Sequence, residues 1–175
     1  MANILSYLPM LFQWEGGWVN DPTDHGGATN LGVTFVTFKD CAKRLLKVEP
    51  TLENLRCLMK AQAGVIYKAL YWDAVCGDEI IDQNVANTVF DFAVNAGCGA
   101  AGKMLQSTAN QLGATLVVDG VIGPHTINVV NSLKGSDVYS AFHANRVAFY
   151  KGIVVRKPDQ AKFLKGWLRR TDSLQ

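Results

Sequence analysis

Glu15 is the residue whose surroundings could do chemistry. It closes an apolar stretch over 4–14 and is followed at once by Gly16-Gly17. Beyond it runs Trp18-Val19-Asn20-Asp21-Pro22-Thr23-Asp24-His25-Gly26-Gly27-Ala28-Thr29-Asn30-Leu31-Gly32-Val33-Thr34. One carboxylate thus sits where a helix should stop, and two more sit in the glycine-rich loop beyond it. A carboxylate there faces the negative end of the helix macrodipole, and Trp14 and Trp18 flank it in sequence. Both surroundings disfavour its charged form. A general acid that cleaves a glycosidic bond needs this, because it must hold its proton until the leaving oxygen takes it. Asp24, and after it Asp21, are the candidates for the second carboxylate, which would activate water or steady an oxocarbenium ion. The plainer reading is a solvated Glu stopped by glycine, with both Asp residues serving as turn formers beside Pro and Gly. Thr29, Asn30 and Thr34 could place a water or bind sugar hydroxyls, or serve as turn and cap residues.

Elsewhere the polar residues are sparser. Asp91 and Asn95 are one helical turn apart inside the apolar run 89–96. Polar groups on a buried helix face need partners or a cleft. The pair either lines a sugar site or anchors a neighbouring loop. Tyr71-Trp72 could stack on a sugar or belong to the core. His25, His125 and His143 are scattered, with neither a metal-ligand spacing nor a Ser/His/Asp order. Gly97, Gly99 and Gly102 imitate a dinucleotide fingerprint but follow a helical pattern rather than a strand. The chemistry calls for no cofactor and no metal.

The elements that must position these residues are mostly helical. Helices are expected at 3–15 (with Pro9 in a first turn capped by Ser6), 35–46, 51–59, 60–72, 82–96, 100–112, 124–133, 136–155 and 160–170. Gly16 is placed for a left-handed helix stop, Thr51 for an N-cap and Pro124 for a first helical position. Residues 18–34 read as a short irregular β-hairpin or a long functional loop. The chain of 175 residues is 49% hydrophobic and 18% charged, which suits a packed core and argues against disorder. A formal charge of +2, without a Lys/Arg run, gives no footprint for nucleic acid. Cys41, Cys57, Cys76 and Cys98 are too widely spaced for zinc and are read as buried free thiols, two disulfides being the alternative. No signal peptide is evident, and no apolar segment approaches the ~20 residues that span a bilayer.

The stretch Glu15 to Thr34 resembles the signature of glycoside hydrolase family 108, the peptidoglycan N-acetylmuramidases of phage endolysins and bacterial relatives. The family usually has Tyr at Trp18, and often Tyr at Leu31 and Ile at Val33. The resemblance continues through Tyr71-Trp72, Val89 to Gly97, Leu105-Gln106 and Asp119-Gly120-Val121-Ile122-Gly123-Pro124-His125-Thr126. It ends with Arg146, Phe149-Tyr150, Gly166-Trp167 and Arg170. These later pieces resemble the predicted peptidoglycan-binding half that accompanies the catalytic part. Glu15 and Asp24 also have the spacing of phage-type lysozymes, with Thr29 one residue short of their water-positioning threonine.

The resemblance implies a lysozyme-like α+β fold, mainly helical, with one small β-hairpin after the first helix. It implies a catalytic part at 1–88 and a helical binding part at 89–175, packed as one body, with the cleft between the hairpin and the helices around Asp91. Glu15 is then the acid, Asp24 and Thr29 its catalytic partners, and Trp18, Asp21, Asn30, Thr34, Trp72, Asp91 and Asn95 the substrate-binding residues. The substrate is peptidoglycan glycan strands, cut by a monomer without nucleic acid or stable membrane insertion. The protein would be made in the cytoplasm and reach the wall by holin-type or other non-standard release. Two alternatives stay open: a lytic transglycosylase, and a non-catalytic wall-binding or secretion-associated protein.

Overall fold

The computed structural model describes residues 1–20 and 27–174. The chain divides into two compact units, one formed by Leu5–Leu70 and the other by Met1–Ile4 with Tyr71–Gln175.

In the first unit, α1 (Leu8–Trp14) is shorter than expected because Ile4–Ser6 forms a separate 3-10 turn. Tyr7, not Ser6, takes the cap position, and Pro9 lies in the first turn, where its missing N–H leaves no bond unmade. The glycine-rich segment leads into an antiparallel hairpin, β1 (Thr29–Asn30) and β2 (Val33–Thr34), with Thr29 opposite Thr34 and Asn30 opposite Val33. Val19 adds a bridge to Thr29 on the other side, with both backbone bonds at 2.8 Å. The two-residue turn has Leu31 at φ 50° and Gly32 at φ 75°. Two successive left-handed residues give the turn twist that matches a hairpin's own.

Thr34 ends the hairpin and starts α2 (Phe35–Leu46), its side chain accepting from the Thr37 N–H at 3.1 Å. Thr51 caps α3 (Leu52–Arg56) in the same way, accepting from the Asn54 N–H at 3.1 Å. The last long element of the unit is α4 (Lys60–Tyr67), which passes into a π-helical turn at Lys68–Trp72 instead of continuing as an α-helix. A side chain on Gly64 would meet Leu8 Cδ1 at 2.9 Å, so α4 lies close against α1. Leu11, Phe38, Ala42, Leu55 and Ala63 are fully buried in this unit.

The second unit is built on α5 (Gln83–Ala96), capped by Asp82, whose carboxylate accepts from the N–H groups of Asn84 and Val85. It packs with α6 (Cys98–Gln111) and α8 (Gly135–Arg156), while α7 (Pro124–Ser132) and α9 (Ala161–Asp172) complete the unit. Pro124 does open α7. Helix α8 begins before Ser136 and Asp137, with Lys134 at its cap, so neither expected cap is used. The expected boundary at 88/89 falls inside the continuous helix α5.

A loop over 114–123 is tied to α6 by two amides. Gln106 accepts from the Gly120 N–H at 2.8 Å and donates to Asp119 Oδ1 and the Val121 carbonyl. Asn110 both accepts from and donates to the backbone of Leu116. A side chain on Gly102 would collide with the Gly120 carbonyl, so the loop lies directly on the helix backbone.

The four cysteines are free thiols. Only Cys41 is buried; Cys76 and Cys98 are half-buried and Cys57 is exposed, so the expectation of buried thiols holds for one of them. Among the described residues no helix is long and apolar enough to cross a membrane, and no cluster of His, Cys, Asp and Glu is arranged to hold a metal ion.

Candidate active site

Glu15 occupies the C-cap of α1, its backbone N–H bonded to the Leu11 carbonyl at 3.2 Å. Gly16 follows at φ 68°, the left-handed stop expected of it. The hairpin turn then comes back onto the carboxyl. A Cβ built on Gly32 would lie 2.5 Å from Glu15 Oε2 and 2.9 Å from Glu15 Cβ, and closer still to the hydroxyl of Tyr67. Gly32 therefore has two reasons to be glycine: a left-handed backbone and no room for any side chain. Oε1 of Glu15 is shut away from solvent, although the residue as a whole is half-exposed. Tyr67 is buried, and its hydroxyl donates to the Leu31 carbonyl at 3.0 Å. Its ring meets the edge of Phe12, one turn before Glu15 on α1, at 6.0 Å between centroids. Residue type and spacing single out neither Tyr67 nor Gly32. Gly32 lay inside the quoted motif, but nothing in the spacing of Tyr67 links it to Glu15.

The other expected residues separate into groups. Asp21 and Asp24, like His25, lie outside the described residues. Trp18 is half-buried. Thr29 is half-buried too, its hydroxyl reaching the Gly27 carbonyl at 3.4 Å. Asn30 is turned inward. Its amide donates to the carbonyls of Leu55 and Arg56, both at 2.9 Å, closing the C-terminal end of α3. Thr34 is the N-cap of α2, as described above. Asn95 is exposed, its amide 3.5 Å from the Asp91 carbonyl.

Trp72 and Asp91 are corrections, because neither exposes any surface to a sugar. The Trp72 indole is enclosed by Gly77 and Phe90, and its N–H donates to Asp78 Oδ1 at 2.7 Å. Asp91 is paired with two guanidinium groups. Arg146 Nη2 binds Oδ2, and Arg170 binds through Nε at 2.9 Å and Nη2 at 2.7 Å. Two buried cations thus share one carboxylate. The faces of Phe92 and Tyr150, 5.6 and 5.8 Å from the Arg146 guanidinium, partly offset the second positive charge. Asp91 therefore anchors, as one of its two sequence readings has it, but what it holds is the helices α8 and α9 and not a neighbouring loop.

In the second unit, the loop bonds from Gln106 and then from the Val121 N–H hold the Asp119 carboxyl below its ordinary range. Burial raises the Cys41, Cys76 and Cys98 thiols above theirs.

A mainly helical α+β chain, with a carboxyl at the end of its first helix and a small hairpin folded against that carboxyl, has the plan of a lysozyme-like glycoside hydrolase. Residues 8–97 match the family model described as Glycosyl hydrolase 108, and residues 100–172 match one described as Predicted Peptidoglycan domain. The chain belongs to glycosyl hydrolase family 108 and is a peptidoglycan hydrolase in this broad sense. A solved structure of SagA from Brucella abortus is similar over 98% of this chain and 90% of that one, with a TM-score of 0.77 and 32% identity. No curated protein matches the chain.

Proposed function

We propose that the protein is an N-acetylmuramidase that hydrolyses the β-1,4 bond between N-acetylmuramic acid and N-acetylglucosamine. The observation that carries the proposal is the fixed Glu15 carboxyl, at a helix end under the Gly32 turn, within the stretch matched to the glycosidase family. In the reaction, the Glu15 carboxyl gives its proton to the glycosidic oxygen as the bond to the muramic anomeric carbon breaks. That oxygen leaves as the 4-hydroxyl of N-acetylglucosamine. Water supplies the new hydroxyl on the anomeric carbon and loses a proton to a second carboxylate. Asp24 is our assignment for that carboxylate, with Asp21 as second choice and Thr29 helping to place the water. Trp18 and Thr34 in the unit that carries Glu15, and Asn95 in the other unit, are the assigned substrate contacts that expose surface among the described residues. We place the working enzyme at the cell wall as a monomer, released by a holin-type or other non-standard route.

The test is to digest purified peptidoglycan and identify the new chain ends. Reducing N-acetylmuramic ends are expected. Reducing N-acetylglucosamine ends would refute the bond assignment, anhydro-muramic ends would establish a lytic transglycosylase, and no new ends would leave a binding protein.

A further inference from the structure

The Glu15 carboxyl is not fixed by its own helix alone. Helix α1 has only seven residues, and Glu15 is its cap, beyond the last helical residue. Short helices and their ends fray unless tertiary contacts hold them. Two contacts bear on where this carboxyl sits: the packing of the last turn of α1, and the hairpin turn laid over it. Tyr67 makes both. Its ring lies edge-on to Phe12, at the i−3 position from Glu15 and so on the same helix face. Its hydroxyl donates to the Leu31 carbonyl at 3.0 Å, the peptide bond that joins Leu31 to Gly32. A side chain on Gly32 would begin 2.5 Å from Glu15 Oε2 and nearer still to the Tyr67 hydroxyl, so all three groups converge on one point. Tyr67 is itself buried, and it is the last residue of α4 before the backbone switches to the π-helical turn at Lys68–Trp72. Such turns re-aim side chains and recur at functional sites.

We propose that Tyr67 is the positioning residue for the acid: ring to α1, hydroxyl to the hairpin turn, with the Gly32 backbone closing on the Glu15 carboxyl. This rests on Glu15 being the acid, as proposed above. Tyr67 touches neither the substrate nor the transferred proton in this scheme. It sets the place from which the proton is given.

Two substitutions act on the arrangement from different sides. Tyr67→Phe keeps the ring on Phe12 and releases the turn. Gly32→Ala retains the hydroxyl group but sets a methyl against both it and the carboxyl, driving the turn off the two together. The readout is kcat and KM on soluble glycan fragments of peptidoglycan, at a temperature well below every melting transition. For Tyr67→Phe we expect kcat to fall about 10- to 100-fold, the scale of a small misplacement of a catalytic group, with KM within about twofold. Because both variants break one contact, the double variant should be no slower than Gly32→Ala alone. Val130→Ala, buried in the other unit, controls for stability: it lowers Tm and leaves kcat unchanged. The proposal is overturned if Tyr67→Phe keeps kcat within twofold of wild type while Glu15→Gln is inactive, or if the two kcat losses multiply. If Glu15→Gln turns over like wild type, it is the acid assignment that fails, and the role of Tyr67 falls with it.

Discussion

Replacing Asp91 by Asn distinguishes an anchoring residue from a sugar ligand. The two side chains have nearly the same volume, so the change opens no cavity. It removes the one carboxylate shared by two buried guanidiniums, with Arg146 fully enclosed and the Arg170 side chain only 11% exposed. Breaking a buried pair by removing one partner costs about 3–5 kcal/mol, because the remaining charge stays desolvated. Here two charges lose the carboxylate they share, and the rings of Phe92 and Tyr150 can compensate only part. At about 2–4 °C per kcal/mol for a chain of this size, the unit carrying Asp91 should melt roughly 10 °C lower. Calorimetry reads the shift, and kcat measured far below the transition should stay within about twofold of wild type. An apolar replacement of all three, Asp91→Leu with Arg146→Met and Arg170→Leu, should restore much of the loss, as other buried ion triads do. A melting point within 2 °C of wild type, together with a large rise in KM, would refute this reasoning and return Asp91 to the substrate site.

Two further perturbations follow from the same bonds. Asn30→Ala strips two hydrogen bonds from the end of α3 and should destabilise the first unit by about 1–3 kcal/mol, read by thermal melting. Asn30→Asp should be worse, since an acceptor would then face two carbonyls. Asp119 supplies a pH test. Its folded carboxyl lies below the ordinary value, so its contribution to stability is present above the unfolded value, about 3.9, and is lost as pH falls through the folded one. The Tm gap between wild type and Asp119→Ala should therefore be open at pH 7 and close below about pH 4; a gap that stays constant down to pH 2 would count against the Gln106 and Val121 bonds as its source.

The sequence announces what local chemistry controls. Gly16, Thr51 and Pro124 stop, cap and start helices as their residue types require, and the turn-rich stretch after Trp18 does contain the hairpin. Where several residues compete for one role, it misleads. Ser136 and Asp137 are good caps, yet α8 starts ahead of them. The π-helical turn after Tyr67 was not visible, because a shift in backbone hydrogen bonding leaves apolar spacing nearly unchanged. Least legible were partners distant along the chain. Asp91 meets Arg146 and Arg170 across 55 and 79 positions, and Tyr67 reaches Leu31 across 36. Residue type and spacing mark such groups as polar and buried without saying what answers them. The carboxyl proposed as the acid stands out in the sequence because its helix stop and following loop lie together along the chain.

The central claim is that Glu15 donates the proton that cleaves the glycan. Initial rates of release of new reducing ends from purified peptidoglycan, compared for wild type and Glu15→Gln at equal folded concentration, test it most directly. Glu15→Gln should lose at least about 100-fold, the lower range of what general acid catalysis contributes, while its melting point stays close to wild type. A variant that releases reducing ends at the wild-type rate would contradict the claim.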